Sequence, residues 1–380
     1  MKNLSTLTVS IALALCLTAC GGGSGDDTTV TPTTPITPTT TIEEEFGSYL
    51  TDLANNHIMP GYQDFNQQSI AFNQAAQSFC SLTNATDTDL DTLKSAWLSN
   101  NHSWQNIQWL KVGPVVDMLF RIQLWPDSNS AIDRAIATHL LEPDTITAEL
   151  IAAKNVGGQG LPAAESLLYP TDTSDDLLSS DIKEKRCELI TAIAQNLENM
   201  STNINNAWQV SGDNYVNTLI TGTGEFSSKQ DAVEELITNW LEQIEKVKDE
   251  KILIPLADEA PGLATLAEHS LSDQSLASIK INIASFQALY DAGAGHGFDN
   301  ILNDFVEQQS VATSMQEKIT SAQTAIDLLE GSYSDALNNE EKRLILEEVI
   351  IKLRELRDLF TAEFVQVLDL NIGFNSNDGD

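Results

Sequence analysis

From about residue 60 to the end, the chain repeats apolar residues at three- and four-residue spacings. Phe65, Phe72, Ala76 and Phe79 share one helical face. Ile182, Leu189, Ile193, Met200, Ile204 and Trp208 recur at the same intervals or their sums. Val233, Ile237, Trp240, Ile244 and Val247 form an a/d stripe, as do Leu346, Val349, Leu353, Leu356 and Phe360. This periodicity predicts amphipathic helices long enough to pack as bundles. No stretch alternates apolar and polar residues between turn signals, so strands are not required. The expected fold class is all-α. The stripes themselves read as core, not as cofactor pockets.

A polar, Gly-bearing stretch from Ser211 to Gly224 separates two blocks of long helices. It places the halves at about 42–211 and 225–380. A short echo links them. Gly158-Gln159-Gly160-Leu161 precedes PAAESLL, and Gly295-His296-Gly297-Phe298 precedes DNILNDF. The echo suggests two bundles related by duplication, each with a glycine turn entering a helix.

The amino-terminal stretch follows other rules. Lys2 precedes an apolar run from Val9 to Leu17, shorter than the roughly 20 residues that span a bilayer. It reads as a signal-peptide core, residues 1–19. Leu17-Thr18-Ala19-Cys20 resembles a bacterial lipobox, which implies cleavage before Cys20 and a lipid on it. An ordinary secretory signal with an unmodified cysteine is the alternative. Residues 20–41 are rich in Gly, Thr and Pro and hold little that could form a core, so they are expected to be a disordered tether. Gly21 follows the cysteine in place of Asp. By analogy with other lipoproteins this points to the outer membrane, with the domain periplasmic or surface-exposed.

Two cysteines are then left, Cys80 and Cys187. In an oxidising compartment they are expected to pair; two buried free thiols are the other reading. The 55 acidic residues outweigh 20 basic ones, a formal net charge of −35. Such a surface repels nucleic acid and anionic lipid, which excludes nucleic acid as a partner.

Chemistry is sparser. In GGQGLPAAESLLYP (157–170), Pro162 suits the first turn of a helix and Glu165 lies about one turn in. Glu165 is either a solvated residue after a tight turn or part of a site. Asp117, Arg121 and Trp125 are four residues apart, so on one helix they share a face. An Arg there could hold a carboxylate, a ligand's or that of Glu165, or form a plain ion pair. None of the five histidines has another at i+3 or i+4. His296 sits in the second glycine turn, and His269 follows Glu268. There is no HExxH, no GxSxG, no Walker loop and no CxxCH.

Three stretches together carry a resemblance. They are Gly113-Pro114 with FRIQLWPD (120–127), QGLPAAESLLY (159–169) and the chain end NIGFNSNDGD. In this combination the chain resembles the imelysin-like family of bacterial envelope proteins. The resemblance implies an all-α fold of two bundle halves and an iron-uptake or iron-regulated setting, with iron-uptake proteins as partners. The family's founding members carry GxHxxE, once read as a peptidase zinc motif. Here the histidine position is Pro162, which cannot ligate metal. Glu165 alone cannot hold an ion. A zinc site is therefore disfavoured, while iron or another divalent metal stays open and the cofactor is unassigned.

The expected pocket gathers Arg121, Asp127, Gln159, Gly160, Pro162 and Glu165, with Asp117 at its edge. His296 and Asp299 join from the second glycine turn. The expected function is an envelope-anchored binding or accessory component of iron acquisition without peptidase activity. Two other classes compete. One is a metal-dependent hydrolase using His296 or His269 in place of the missing ligand. The other is a structural or partner-binding envelope protein.

Overall fold

A computed structural model describes residues 40–373, residue 128 excepted. The expected signal peptide, Cys20, most of the expected tether and residues 374–380 of the chain end lie outside the described residues. Residues from 40 onward form one compact unit. Among the described residues there is no strand.

The helices of eight or more residues are α1 (Ile42–Leu53), α2 (Met59–Cys80), α3 (Asp87–Ile107), α4 (Ala131–Leu140) and α5 (Gly160–Leu168). They continue with α6 (Lys183–Trp208), α7 (Lys229–Glu245), α8 (Ser275–Tyr290), α9 (Gln309–Asp327) and α10 (Glu340–Leu359). Their starts are chemically marked. Thr41 and Glu44 form a reciprocal capping box at α1, and Thr86 with Asp89 does the same at α3. Ser228 and Asn339 cap α7 and α10.

The apolar stripes are core. Every residue of the four stripes is buried except Ile182, which precedes α6 and is 46 % exposed. Four π-helical turns interrupt or extend the long helices, at Ala54–Ile58, Lys246–Leu253, Ile301–Phe305 and Phe360–Phe364. A π turn widens the helix by one residue per turn and shifts the face that follows it. Lys251 falls four residues after Val247, on the stripe itself, and is fully buried.

Two groups of helices result. One packs α2 against α3 and α6, with α5 on α3 and α6. The other packs α9 against α10 and α8, with α7 on α8 and α10. Helix α3 meets α8 and joins the two groups. The expected first half, starting at 42, needs correction: α1 packs against α7, and Tyr49 Oη donates to the Leu289 carbonyl at 3.0 Å. The chain begins in the second group and passes into the first through the π turn at Ala54–Ile58.

The glycine echo is not repeated in the backbone. Gly160 sits at φ +74°, whereas its counterpart Gly297 is at φ −90°. At Gly160 a Cβ would fall under 3 Å from the carbonyls of Arg121 and Ile122, so both the angle and the close approach require glycine. Duplication of the halves therefore gains nothing from this motif. Cys80 and Cys187 are disulfide-bonded with Cα atoms 5.5 Å apart, tying the end of α2 to α6.

Candidate functional site

The segment 156–160 packs its backbone against α4. A side chain at Gly158 would meet the His139 ring. This nesting aims α5 into the junction between the two helix groups, with Pro162 and Glu165 on its first turns. Glu165 is 4 % exposed, so it is not the solvated residue that a plain turn predicts.

Both of its oxygens are used. Oε1 accepts the Ser272 backbone N–H at 2.9 Å and the Ser272 hydroxyl at 2.7 Å. Oε2 lies 2.9 Å from His269 Nδ1. A carboxylate only accepts, so Nδ1 carries the proton and Nε2 is the acceptor. Nε2 then takes the amides of Gln123 and Gln105, at 3.2 and 3.4 Å. The ring stands edge-on to Trp97, 5.5 Å between centroids. His269 is held at φ +53°, and the carboxylate pins it there together with Ser272.

The network continues inward. The Gln123 amide also donates to Glu268 Oε1 at 3.1 Å. Glu268 Oε2 pairs with Lys251 Nζ at 2.7 Å, both side chains being almost fully buried. Lys251 further donates to Asn282 Oδ1 at 2.6 Å and to Gln105 Oε1 at 3.1 Å, and Gln108 also donates to Gln105 Oε1. Burial pushes the Glu268 carboxyl up, but the Lys251 ammonium, with Lys246, prevails and holds it below the usual range. Burial lowers Lys251 to about 8 against the pull of Glu268. At neutral pH both are charged and paired.

Beside this network lies a cleft of about 420 Å³. It is walled by residues 123–127, by Ile132 and Asp133 of α4, by Pro162, Glu165 and Ser166, and by residues 265–267 and 269–271, with Glu250 and Ile254 at its edge. The WPD segment and the start of α5 both line this cleft. The third contributor differs: residues 265–271 occupy the place expected for the second glycine turn.

The expected site residues thus fall into three places. Asp127, Pro162 and Glu165 line the cleft, where the Asp127 carboxylate caps α4 by accepting the N–H groups of Ala131 and Ile132. Arg121 and Gln159 line a separate hollow with Asp117, Asn196 and Met200, and Gly160 is the turn between the two. Arg121 donates to the Ala152 carbonyl at 3.0 Å and does not hold Glu165. Its helix is only Leu119–Ile122, preceded by a 3-10 turn, so Trp125 does not share its face. Gln159 bonds Lys154 O and Asn196.

His296 pairs with Glu45 at 2.7 Å and donates its backbone N–H to Asp52, lining a third hollow against α1. Asp299 keeps one buried oxygen without a partner, and burial raises its pKa. Among the described residues no three His, Cys, Asp or Glu side chains gather in a metal-ligand arrangement. The functional residues missed in the sequence are Gln105, Gln123, Lys251, Ser272 and Asn282. Gln123 and Asn282 each stand alone between apolar residues, which was the available signal, while Gln105, Lys251 and Ser272 have polar neighbours and gave none.

Removing one partner of a buried ion pair strands the other charge, at a cost of about 3–5 kcal/mol. Lys251→Met or Glu268→Gln should each lose about that much in urea unfolding, and the double variant should lose less than the sum of the two. The pH dependence has a definite sign. The Glu268 folded pKa lies below its unfolded value of 4.5, so its contribution is present above about pH 4.5 and fades as pH falls through the folded value. Wild type should therefore lose more stability than the double variant on acidification below pH 4.5.

The Imelysin (peptidase M75) family model matches residues 58–360. Among solved structures, an imelysin-like protein from Psychrobacter arcticum 273-4 is similar in fold, with a TM-score of 0.72 and 22% identity over 87% of this chain and 98% of that one. A putative iron-regulated protein A precursor from Parabacteroides distasonis ATCC 8503 has a TM-score of 0.65 and 16% identity, covering 84% of this chain and 95% of that one. No curated protein matches the chain. With the family model spanning most of its length and the all-α fold agreeing, this chain belongs to the imelysin family.

Proposed function

We propose that this protein is an envelope-anchored binding component in iron acquisition, that it takes a small ligand in the cleft beside Glu165, and that it is not a peptidase. The observation that carries the reading is the state of Glu165. Both its oxygens are committed to Ser272 and His269, and the motif position three residues before it is Pro162. Nothing at this turn is left to hold a metal and activate water. His269, which could have replaced the missing ligand, has both ring nitrogens engaged.

The cleft is the feature suited to binding. It is lined mainly by apolar side chains, with a few polar groups, and its size is that of small-molecule sites. The iron setting rests on the family resemblance, and the name of the fold neighbour from Parabacteroides distasonis agrees with it. The anchor rests on the lipobox-like Leu17 to Cys20.

Calorimetric titration of the full chain with ferric chelates of different charge tests the cleft. At least one should bind with one-to-one stoichiometry, and Trp125→Ala should weaken it about tenfold or more, which is ~1.4 kcal/mol. Binding untouched by Trp125→Ala, or chelator-sensitive cleavage of a protein substrate, would overturn the reading. For the anchor, Cys20→Ser should move the protein from the membrane fraction to the soluble fraction on cell fractionation. Unchanged sedimentation with membranes would contradict lipidation.

A further inference from the structure

The cleft's chemistry narrows its ligand, given the reading of it as a binding site. Four carboxylates line it, with the hydroxyls of Ser130, Ser166, Thr265 and Ser270, which donate or accept. Asp133 and Glu250 line it and have no ion-pair partner among the described residues. Gln123 lines it too; this side chain is 94 % buried, and its Oε1 has no hydrogen-bond partner. The Gln123 amide is already committed to Glu268 and His269, so a rotation that put the oxygen there would set it against a carboxylate. No Lys or Arg lines the cleft.

The unpartnered Gln123 Oε1 is closed off from solvent, so it costs the fold about 1–3 kcal/mol and is not a contact open to a ligand. An anion would meet two free carboxylates in a chain of net charge −35. A bare metal ion would need several converging ligands, and the described residues offer none in that arrangement. The walls are apolar, with Trp125 among them. The ring of Trp125 already carries a cation on one face, where Lys246 Nζ lies 5.7 Å from the centroid.

We propose that the cleft selects an organic cation: an apolar body bearing an ammonium or a similar N–H donor. The donor end meets the Asp133 and Glu250 carboxylates, and the apolar body lies against Trp125 and Ile132. The amine is either free or the pendant group of an iron chelate.

The test is calorimetric titration of the full chain with five probes. Ferrioxamine B, a ferric hydroxamate with a pendant ammonium, is compared with its neutral N-acetyl form. 2-Phenylethylammonium is compared with 3-phenylpropionate, and ferric citrate serves as an anionic chelate. The ammonium member of each pair that binds should do so about tenfold more tightly or better. The double substitution Asp133→Asn with Glu250→Gln should weaken that binding about fivefold or more, the sum expected of two partly exposed charges. Both side chains are outside the core, so the variant folds. Binding of both amines marks an amine site, and binding of ferrioxamine B alone marks a chelate-borne amine.

Equal or tighter binding of the neutral or anionic member overturns the inference, as does unchanged ammonium binding in the double variant. Tight ferric citrate binding that Trp125→Ala abolishes would overturn the inference and leave the cleft as a chelate site. No binding by any probe would overturn both.

Discussion

The junction between the two helix groups is governed by one requirement: polar groups taken out of water must find partners. Lys251 and Glu268 bring opposite charges into a nearly dry interior, and Gln105, Asn282 and Gln123 satisfy what the ion pair leaves over. His269 and Glu165 close the chain of contacts at the cleft. The members come from α3, the segment after the short helix at Leu119–Ile122, α5, the π turn at Lys246–Leu253, the loop before α8, and α8 itself. A network drawn from so many elements fixes their relative register, because shifting any one strands a buried donor or acceptor.

The same network explains how this chain departs from the motif of its family. At a GxHxxE turn, a histidine and a glutamate three apart on a helix share a face and can meet one ion. With Pro162 in the histidine position, the glutamate is recruited inward. It anchors the loop carrying His269 and Ser272, which in turn forms one wall of the cleft. The carboxylate thus shapes the cleft that it lines. The imelysin fold is retained around a turn that has exchanged a candidate metal ligand for a structural contact.

The all-α architecture was legible because it rests on local periodicity. The stripes at Phe65 to Phe79, Val233 to Val247 and Leu346 to Phe360 are buried as their spacing requires. The pairing of Cys80 with Cys187, seen in the structure, was expected from the count of cysteines and an expected oxidising compartment. The π turns left no comparable trace, since one added residue per turn alters phase without altering composition. The passage of α1 into the second group, through the π turn at Ala54–Ile58, was not foreseen; Lys251 falls on the stripe, four residues after Val247, but its charge argued against a buried place. The site was only half legible. Asp127, Pro162 and Glu165 line one cleft. Arg121 and His296 do not join them, because Arg121 lies on the far side of the Gly160 turn and the second glycine turn packs on α1. The partner of Glu165 lies over a hundred residues away, at His269, where neither helical period nor short motif can reach. The Glu268-His269 pair, set between Ala267 and Ser270 after an apolar run, was the strongest local hint.

The central claim is that Glu165 is a structural anchor and not a metal ligand. The most direct measurement is the unfolding free energy of Glu165→Gln set beside its metal content, both on the full chain purified without chelator and incubated with iron and zinc. The account predicts a loss of about 1–3 kcal/mol, because an amide cannot accept from both Ser272 and His269 as the carboxylate does, with substoichiometric metal in wild type and variant alike. Stoichiometric metal in wild type that disappears in a variant of unchanged stability would contradict it.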